Sequence, residues 1–374
     1  MRYQFARVVL GACLVVASAA AQGTAASSVL APEGTGSFEA GLSRRQSGDS
    51  HLDALRGPRR FDTRAQPQDQ VDYTLVGQFR LHHGEFMDRY ERYDPNVELR
   101  ARAFPNMRIG DEPGSFDLLG YDVDVEFPVV ITTEAYLLFG VYQYGRRYLT
   151  SSDFGTNNNP GGFGDETLTA AGVRLGFGWF LADNVLWEVE TNPGAYSDLD
   201  SGLKSKDYDF PSSTLFTVRT MDNFFFKIGA RYSQVFEDAP WLPMLGFSWE
   251  VVDGFRIDVL APEMVEMSWW PSPSTSFAFG AFVQGAQYHV RTSEALGRQR
   301  ADVQIQEVVT YLGLTQRFSD NVSLQARAGL VLAGDYELSN GASAFDPIEG
   351  ALDQGLYADV TFCIDLLLAP AGAS

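Results

Sequence analysis

Apolar and polar residues alternate with a period of two along most of the chain after about residue 70. In residues 322–330 every even position is apolar and every odd position is polar or small, and residues 121–131, 171–179 and 224–232 show the same alternation. A period of two predicts β-strands with two chemically different faces, because neighbouring side chains of a strand point to opposite sides. No apolar stripe at spacings of three and four persists after residue 70, so the sequence predicts an all-β protein.

The connections between these segments alternate in length. Tight links occur at residues 132–134, 182–184, 221–223, 253–254, 271–274 and 319–321. Long links rich in Gly, Asn and Asp occur at residues 105–118, 150–165, 197–211, 292–301 and 337–353. This rhythm is typical of bacterial outer-membrane barrels, in which tight turns face the periplasm and long loops face outside.

A sheet that crosses a membrane must close on itself, since every backbone polar group in hydrocarbon needs a partner. The sequence therefore predicts a closed, antiparallel, up-and-down transmembrane barrel of about fourteen strands, within a range of about twelve to sixteen. Residues 71–82 are a candidate extra strand, and breaks in alternation near residues 281–282 and 307–309 predict β-bulges. A girdle at the two membrane interfaces is predicted from the aromatic residues Tyr142, Tyr144, Tyr148, Trp179, Phe180, Trp187, Phe224, Phe225, Phe226, Trp241, Trp249, Trp269 and Trp270.

The N-terminal residues have the pattern of an export signal. Arg2 and Arg7 precede a short apolar stretch, which runs into the small residues 17–21. The residues that follow are rich in Gly, Ser, Arg and Gln and cannot bury enough apolar surface to order themselves. The predicted organisation is a signal peptide (1–21), a flexible polar leader (22–69), the barrel (70–367) and a short C-terminal tail (368–374).

Composition excludes several classes of protein. The formal net charge is −20, from 48 acidic and 28 basic residues, which excludes a general nucleic-acid binder. The chain is 45% hydrophobic and 13% aromatic, so it is not disordered throughout. Removal of the signal peptide leaves Cys363 as the one cysteine, so an internal disulfide is excluded.

If the apolar face meets lipid, the other face lines the lumen. The candidate lumen-lining residues are Arg100, Arg102, Asp122, Asp124, Glu126, Arg174, Glu188, Glu190, Lys227, Arg231, Arg256, Asp258 and Arg327. Bases and acids on this face nearly balance, so the surplus of acids lies in loops and leader. The lumen either holds water and passes small polar solutes, or its charges pair across a narrow interior and seal it. Because a barrel of about fourteen strands is wide enough for water unless plugged, the sequence favours a passive or semi-selective pore.

The lipid-facing assignment gives a mutational expectation. Ala328→Arg and Ile228→Arg each place a guanidinium in hydrocarbon, which costs about 2–4 kcal/mol near the midplane. Arg327→Ala, on the opposite face, is expected to be far milder for stability.

The sequence contains no recognisable catalytic constellation. His51, His82, His83 and His289 lack metal-ligand spacing, and residues 246–250 begin like a nucleophile elbow but end in Glu on a predicted strand. No enzyme activity, metal or cofactor is predicted. The expected partners are outer-membrane lipid, the barrel assembly machinery and small polar solutes. A closed-lumen structural or binding barrel, an outer-membrane hydrolase and a soluble secreted β-protein stay open as alternatives.

Several stretches carry a family resemblance, namely residues 243–250 (PMLGFSWE), 255–262 (FRIDVLAP) and 265–269 (VEMSW), with 313–314 and 328–332. They resemble an uncharacterised family of bacterial outer-membrane β-barrel proteins, designated only as a domain of unknown function and common in planctomycete-like bacteria. The resemblance covers about residues 70–367 and implies an outer-membrane barrel without implying a substrate. One departure concerns the end of the chain. Many outer-membrane proteins end on an aromatic residue that the assembly machinery reads, whereas this chain continues to Ser374.

Overall fold

The computed structural model describes residues 75–76, 78–79, 82–83, 86, 96–109, 115–150, 167–198, 202–233, 240–291, 300–319, 321–339 and 348–366. The predicted signal peptide, polar leader and C-terminal tail lie outside these residues.

The described chain is built almost entirely of β-strands. Their bounds are β1 Asn96–Met107, β2 Phe116–Val130, β3 Ala135–Thr150, β4 Thr167–Ala182, β5 Val185–Thr191, β6 Gly194–Ser197, β7 Tyr208–Asp209, β8 Ser212–Met221, β9 Phe224–Tyr232, β10 Trp241–Val252, β11 Phe255–Ala261, β12 Met264–Ser272, β13 Thr275–Arg291, β14 Arg300–Ser319, β15 Val322–Ser339, β16 Ile348–Leu352 and β17 Gly355–Asp365.

These segments form one closed ring of fourteen antiparallel strands. Three strands of the ring are each interrupted and consist of two segments. Segments β5 and β6 form one strand, since both pair with β4. Segments β7 and β8 form the next, pairing with β6 and β5 respectively, and β16 and β17 form the third, since both pair with β15. The ring closes where β1 pairs with β17, from Asn96 opposite Asp365 to Ala103 opposite Ala358. The predicted closed, up-and-down, all-β barrel is therefore confirmed.

The connections fall at two ends of the barrel. All six predicted tight links join strands at one end, called here the turn end, where β1 also begins and β17 finishes. The predicted long links join strands at the opposite end, the loop end. One tight turn, Pro262–Glu263, also lies at the loop end and leaves β11 and β12 short beside the 17-residue β13.

The long link at residues 197–211 contains more structure than the sequence predicted. It holds a 3-10 turn at Ser205–Asp207 and the short strand β7. Ser197 also makes a single parallel bridge with His289 of β13, and Asp198 accepts a hydrogen bond of 2.5 Å from the backbone N–H of Arg291. This segment therefore reaches from β4 to β13 at the loop end.

The pairing register confirms one of the two predicted bulges and contradicts the other. The β14–β15 register shifts between Val308 and Val309, as expected for a bulge there. At residues 281–282 the register runs unbroken on both sides of β13, so that prediction is wrong. Phe282 points inward although it is apolar, so it interrupts the alternation of polar and apolar residues without any shift in register.

The candidate extra strand at residues 71–82 is also wrong, because the described residues there are helical. Phe79, His83 and Phe86 are spaced by four and three, share one helix face and are buried. No helix among the described residues has the length and apolarity needed to cross a membrane.

The aromatic residues divide between the two faces. Trp179, Trp241 and Trp269 are exposed on the outer surface, the first and third of them close to the turn end. The residues of the predicted girdle that point inward and are buried are Tyr142, Tyr144, Tyr148, Phe180, Phe225 and Trp270. These aromatic residues occupy the same alternate positions along their strands as the inward charged residues, and their rings fill the interior.

The barrel has two halves with opposite surface chemistry. In the turn half, next to the tight turns, apolar side chains such as Leu99, Phe139 and Val173 are exposed on the outer surface. In the loop half, next to the long links, the interior is a continuous apolar core that crosses the barrel. Members of this loop-half core are Phe104, Phe116, Tyr148, Leu168, Tyr288, Val303, Ile305, Tyr336 and Leu338.

Candidate functional site

The candidate site is the charged interior of the barrel, between the loop-half core and the turn end. All thirteen predicted lumen-lining residues lie on the inward face, because directly opposite residues of an antiparallel pair share a face and the registers connect them around the ring. Glu188 and Glu190 are half-buried, and the other eleven are buried. The structure gathers them into separate ion-pair clusters.

The first cluster is centred on Arg174 of β4. Its guanidinium pairs with Asp124 at 2.9 Å, with Glu190 at 3.4 Å and with Glu126. Its Nε also donates to the Asn192 side-chain oxygen at 3.0 Å. Arg174 thus joins carboxylates from β2 and β5, and its five donors have acceptors on both sides.

The second cluster lies on β1 and β2. Arg102 pairs with Asp122, and Arg100 Nε lies 3.4 Å from the same carboxylate. Arg102 Nη1 also donates to Gln284 of β13 at 2.9 Å, although three strands of the ring separate β1 from β13. A Cβ at Gly120 would lie 2.5 Å from Arg102 Cγ, so glycine is needed opposite this arginine. The hydrogen bond shows that side chains span the interior at this level.

The third cluster lies on β9 and β11, on the other side of the interior. Asp258 pairs with Arg256 and lies 3.8 Å from Lys227 Nζ. Towards the loop end, Arg231 pairs with Glu263 at 2.9 Å. Sequence reasoning missed Glu263 because it sits in a turn, outside any alternating segment.

The fourth cluster surrounds Arg327 of β15. Both oxygens of Asp359 accept hydrogen bonds from Arg327 Nε, at 3.0 and 2.9 Å. The rings of Phe282, Tyr311 and Tyr357 enclose the guanidinium at 5.4, 5.1 and 6.0 Å. Carboxylate pairing and cation–π contacts together hold this arginine in one place.

The interior is closed in this conformation. Arg174, Glu126, Thr217 and Thr361 are buried at the level of the charged clusters, and the loop-half core fills the interior beyond them. At the turn end, the helical residues Phe79 and Phe86 pack among inward-facing side chains of the wall. Charges, aromatic rings and the helical segment close successive levels of the barrel.

Two serines on the β10–β12 wall are among the buried polar groups that lack a hydrogen-bond partner. Ser248 and Ser268 are inward and buried, and among the described residues neither hydroxyl has a hydrogen-bond partner. Buried polar groups in proteins are almost always satisfied by protein or by water. This wall therefore has the chemistry of a surface that contacts water.

Residues 168–346 match the model of one protein family. That family is Domain of unknown function (DUF6268). The match covers β4 to the link after β15 and confirms the resemblance to an uncharacterised barrel family that the sequence suggested. A comparison with curated proteins found no match.

Several solved barrel structures are similar to this chain. A Pseudomonas aeruginosa FadL homologue has a TM-score of 0.38 at 9% identity, covering 73% of this chain and 90% of that one. An outer-membrane channel from Pseudomonas putida F1 has a TM-score of 0.37 at 11% identity, covering 73% and 96%. The Pseudomonas putida toluene transporter TodX has a TM-score of 0.35 at 8% identity, covering 75% and 91%.

Proposed function

We propose that this protein spans the bacterial outer membrane after export and forms a narrow channel for small polar solutes, closed in the conformation described. The observation that carries the proposal is the turn half of the barrel, where an apolar outer surface surrounds an interior lined with both signs of charge.

The outer surface supports membrane insertion. Leu99, Phe139, Val173, Leu175 and Phe279 each leave more than two-fifths of their surface exposed, and they lie on strands around the ring. A contiguous apolar surface of this kind is unfavourable in water and favourable in hydrocarbon. The closed ring also pairs the backbone groups that hydrocarbon would leave unsatisfied.

The charged residues of the interior favour a channel over a sealed structural barrel. Buried ion pairs contribute little net stability, and apolar replacements of similar volume are often as stable or more so. The same chain fills its loop half with apolar side chains, so its sequence can close a barrel in that way. Retention of Lys227, Asp258 and the two buried serines in the turn half therefore favours a lining that meets water and solute.

Buried polar side chains line the interior on every side, but their kinds differ between the walls. Strands β8–β12 contribute the small hydroxyls of Thr217, Ser248 and Ser268 beside Lys227 and Asp258, whereas β13–β17 contribute Gln284, Gln325 and Thr361 beside the aromatic enclosure of Arg327. We place the path for solutes along β8–β12. At the loop end, the path is closed by the Arg231–Glu263 pair and by the packing of Leu215, Met244 and Leu260.

A permanently sealed structural barrel is the second candidate. The observation that favours it is the Arg327–Asp359 pair, whose side chains are fully buried. Ion pairs enclosed to this degree can brace two walls of a barrel without admitting water.

Conductance of the purified mature protein in planar lipid bilayers tests the two candidates. A channel predicts discrete conductance steps, with weak preference between cations and anions because both signs of charge line the interior. Absence of steps across many insertions, including insertions of the variants described below, would overturn the channel and leave the sealed barrel.

Paired neutral variants locate the path. Arg231→Gln with Glu263→Gln removes the pair at the loop end of the polar side and is expected to raise conductance. Arg327→Met with Asp359→Leu is the matched control on the opposite wall and should leave conductance unchanged. The reverse result would place the path along β13–β17.

A further inference from the structure

The helical segment that carries Phe79, His83 and Phe86 lies inside the turn end of the barrel without belonging to its wall. These three side chains are 0%, 4% and 1% exposed, whereas Leu75, Val76 and His82 on the same segment are exposed. The segment precedes β1, which begins at the same end. Three aromatic side chains of the segment are therefore seated in the barrel, whereas its first two described residues are exposed.

The seated face fits a socket of inward-facing residues, Tyr136, Phe180, Leu186 and Phe225, at the turn ends of β3, β4, β5 and β9. The His83 ring stacks on Phe180 with the ring centroids 3.8 Å apart and the planes 6° from parallel.

The two phenylalanines of the segment meet the same socket edge-on. Phe79 contacts Phe180 at 5.8 Å and Tyr136 at 6.3 Å between ring centroids. Phe86 contacts Phe180 at 5.1 Å and Phe225 at 5.3 Å in the same measure. Three strands of the wall, β3, β4 and β9, thus contact the segment through aromatic rings, and Leu186 of β5 belongs to the same apolar cluster.

The socket lies directly over the polar side of the interior. Leu186 of the socket is opposite Thr217 in the β5–β8 register, and Phe225 precedes Lys227 by two residues on β9. Thr217 is fully buried. The helical segment therefore lies beside the route from the turn end to the β8–β12 lining.

The mode of attachment makes the segment separable from the barrel. The wall is a closed ladder of backbone hydrogen bonds from β1 to β17, and that ladder does not include the segment. Among the described residues, release of the segment breaks the ring packing and the contact of His83 with the backbone of Thr133, and every strand stays paired.

We propose that this helical segment is a removable plug, which closes the turn end of the polar interior when its aromatic face is seated and admits small polar solutes when it leaves. The passage of solute rests on the proposed channel function, but the movement of the plug can be tested without measuring conductance.

The first readout is the reactivity of a cysteine behind the socket. Thr217→Cys in a Cys363→Ser background gives one thiol in the mature chain, and a small cationic methanethiosulfonate reports its access in the refolded full-length mature protein. We expect Phe79→Ala with Phe86→Ala to raise the labelling rate at least tenfold. Leu75→Ala with Val76→Ala, at two exposed residues of the same segment, is the matched control and should leave the rate unchanged.

The second readout is bilayer conductance of the same variants combined with Arg231→Gln and Glu263→Gln, which open the loop end, with heat-modifiable gel mobility used to select folded barrels. Faster labelling together with higher conductance supports both the plug and the channel. Faster labelling without conductance in any variant supports the plug and overturns the channel. Equal labelling in the parent, the socket-face variant and the control overturns the plug, whatever the conductance.

Discussion

The two halves of this barrel have opposite arrangements of polar and apolar side chains. In the turn half, charged side chains are inside and apolar side chains are outside. In the loop half, the interior is an apolar and tyrosine-rich core, and the outer surface carries polar groups. A single strand changes from one arrangement to the other: β13 exposes Phe277 and Phe279 near the turn end, and its outward residues near the loop end are Gln287 and His289.

The difference shows where the barrel meets each solvent. An outward apolar surface is stable in hydrocarbon, and an outward polar surface around an apolar core is stable in water. We expect the turn half to lie in the membrane and the loop half to project from it as a water-exposed β-structure. His289 and Asp302 on the outer surface of the loop half are hydrogen-bonded neighbours on β13 and β14, as expected for a polar exterior.

Loss of one partner from the most enclosed ion pair should have the largest effect. Asp359→Ala leaves the Arg327 guanidinium buried without its carboxylate, and breaking such a pair costs about 3–5 kcal/mol. The measurement is the free energy of unfolding from denaturant titration in lipid vesicles. Arg327→Met with Asp359→Leu should recover most of the loss, and a cost below about 1 kcal/mol for the single variant would mean that the pair is hydrated. The same contacts lead us to expect more than a mild effect of Arg327→Ala.

Truncation of a leucine should distinguish the two halves. Leu338→Ala opens a cavity in the loop-half core, which costs about 2–5 kcal/mol. Leu314→Ala on the outer surface of the turn half makes no cavity and should cost about 1 kcal/mol or less. The same unfolding titration measures both. Equal costs would contradict a packed core in the loop half.

An arginine added to the outer surface tests the boundary between the halves. Ile228→Arg in the turn half should cost about 2–4 kcal/mol, since the guanidinium enters hydrocarbon. Gln304→Arg on the outer surface of the loop half should change the unfolding free energy by no more than about 0.5 kcal/mol. A large cost at residue 304 would place the loop half in the membrane as well.

Acid pH should loosen the helical plug, with the smallest effect of the set. Burial lowers the pKa of His83, while Asp183, Glu134 and a backbone contact from Thr133 raise it and His82 lowers it further. Because the seated state disfavours the protonated ring, packing is strongest above the usual pKa of about 6.5 and weakens as pH falls below it.

The labelling of Thr217→Cys should therefore be faster near pH 5 than near pH 7.5, after correction for thiolate content. His83→Phe keeps an aromatic ring in the stack without a titrating group and should remove this dependence. An unchanged pH dependence in that variant would assign the effect to another group.

Alternation made much of the fold predictable. It identified the strands, the tight turns and the inward position of thirteen charged residues, because lipid outside and polar contacts inside impose a period of two. It failed for Tyr142, Tyr144 and Tyr148, which share the inward positions of β3 but are apolar enough to suggest a membrane interface. It failed also for Phe79, His83 and Phe86, since three residues at helical spacing are too short a pattern to stand out beside long strands.

The alternation within each strand already specifies a sheet with one apolar face and one charged face, since each strand carries that information locally. The meeting of particular inward side chains, as with Arg102 and Gln284, depends on the closed ring, because such contacts join strands far apart in it. The three-dimensional packing also closes the interior and places a helix at its turn end. Both depend on how side chains from opposite walls share one volume, and no single strand encodes that volume.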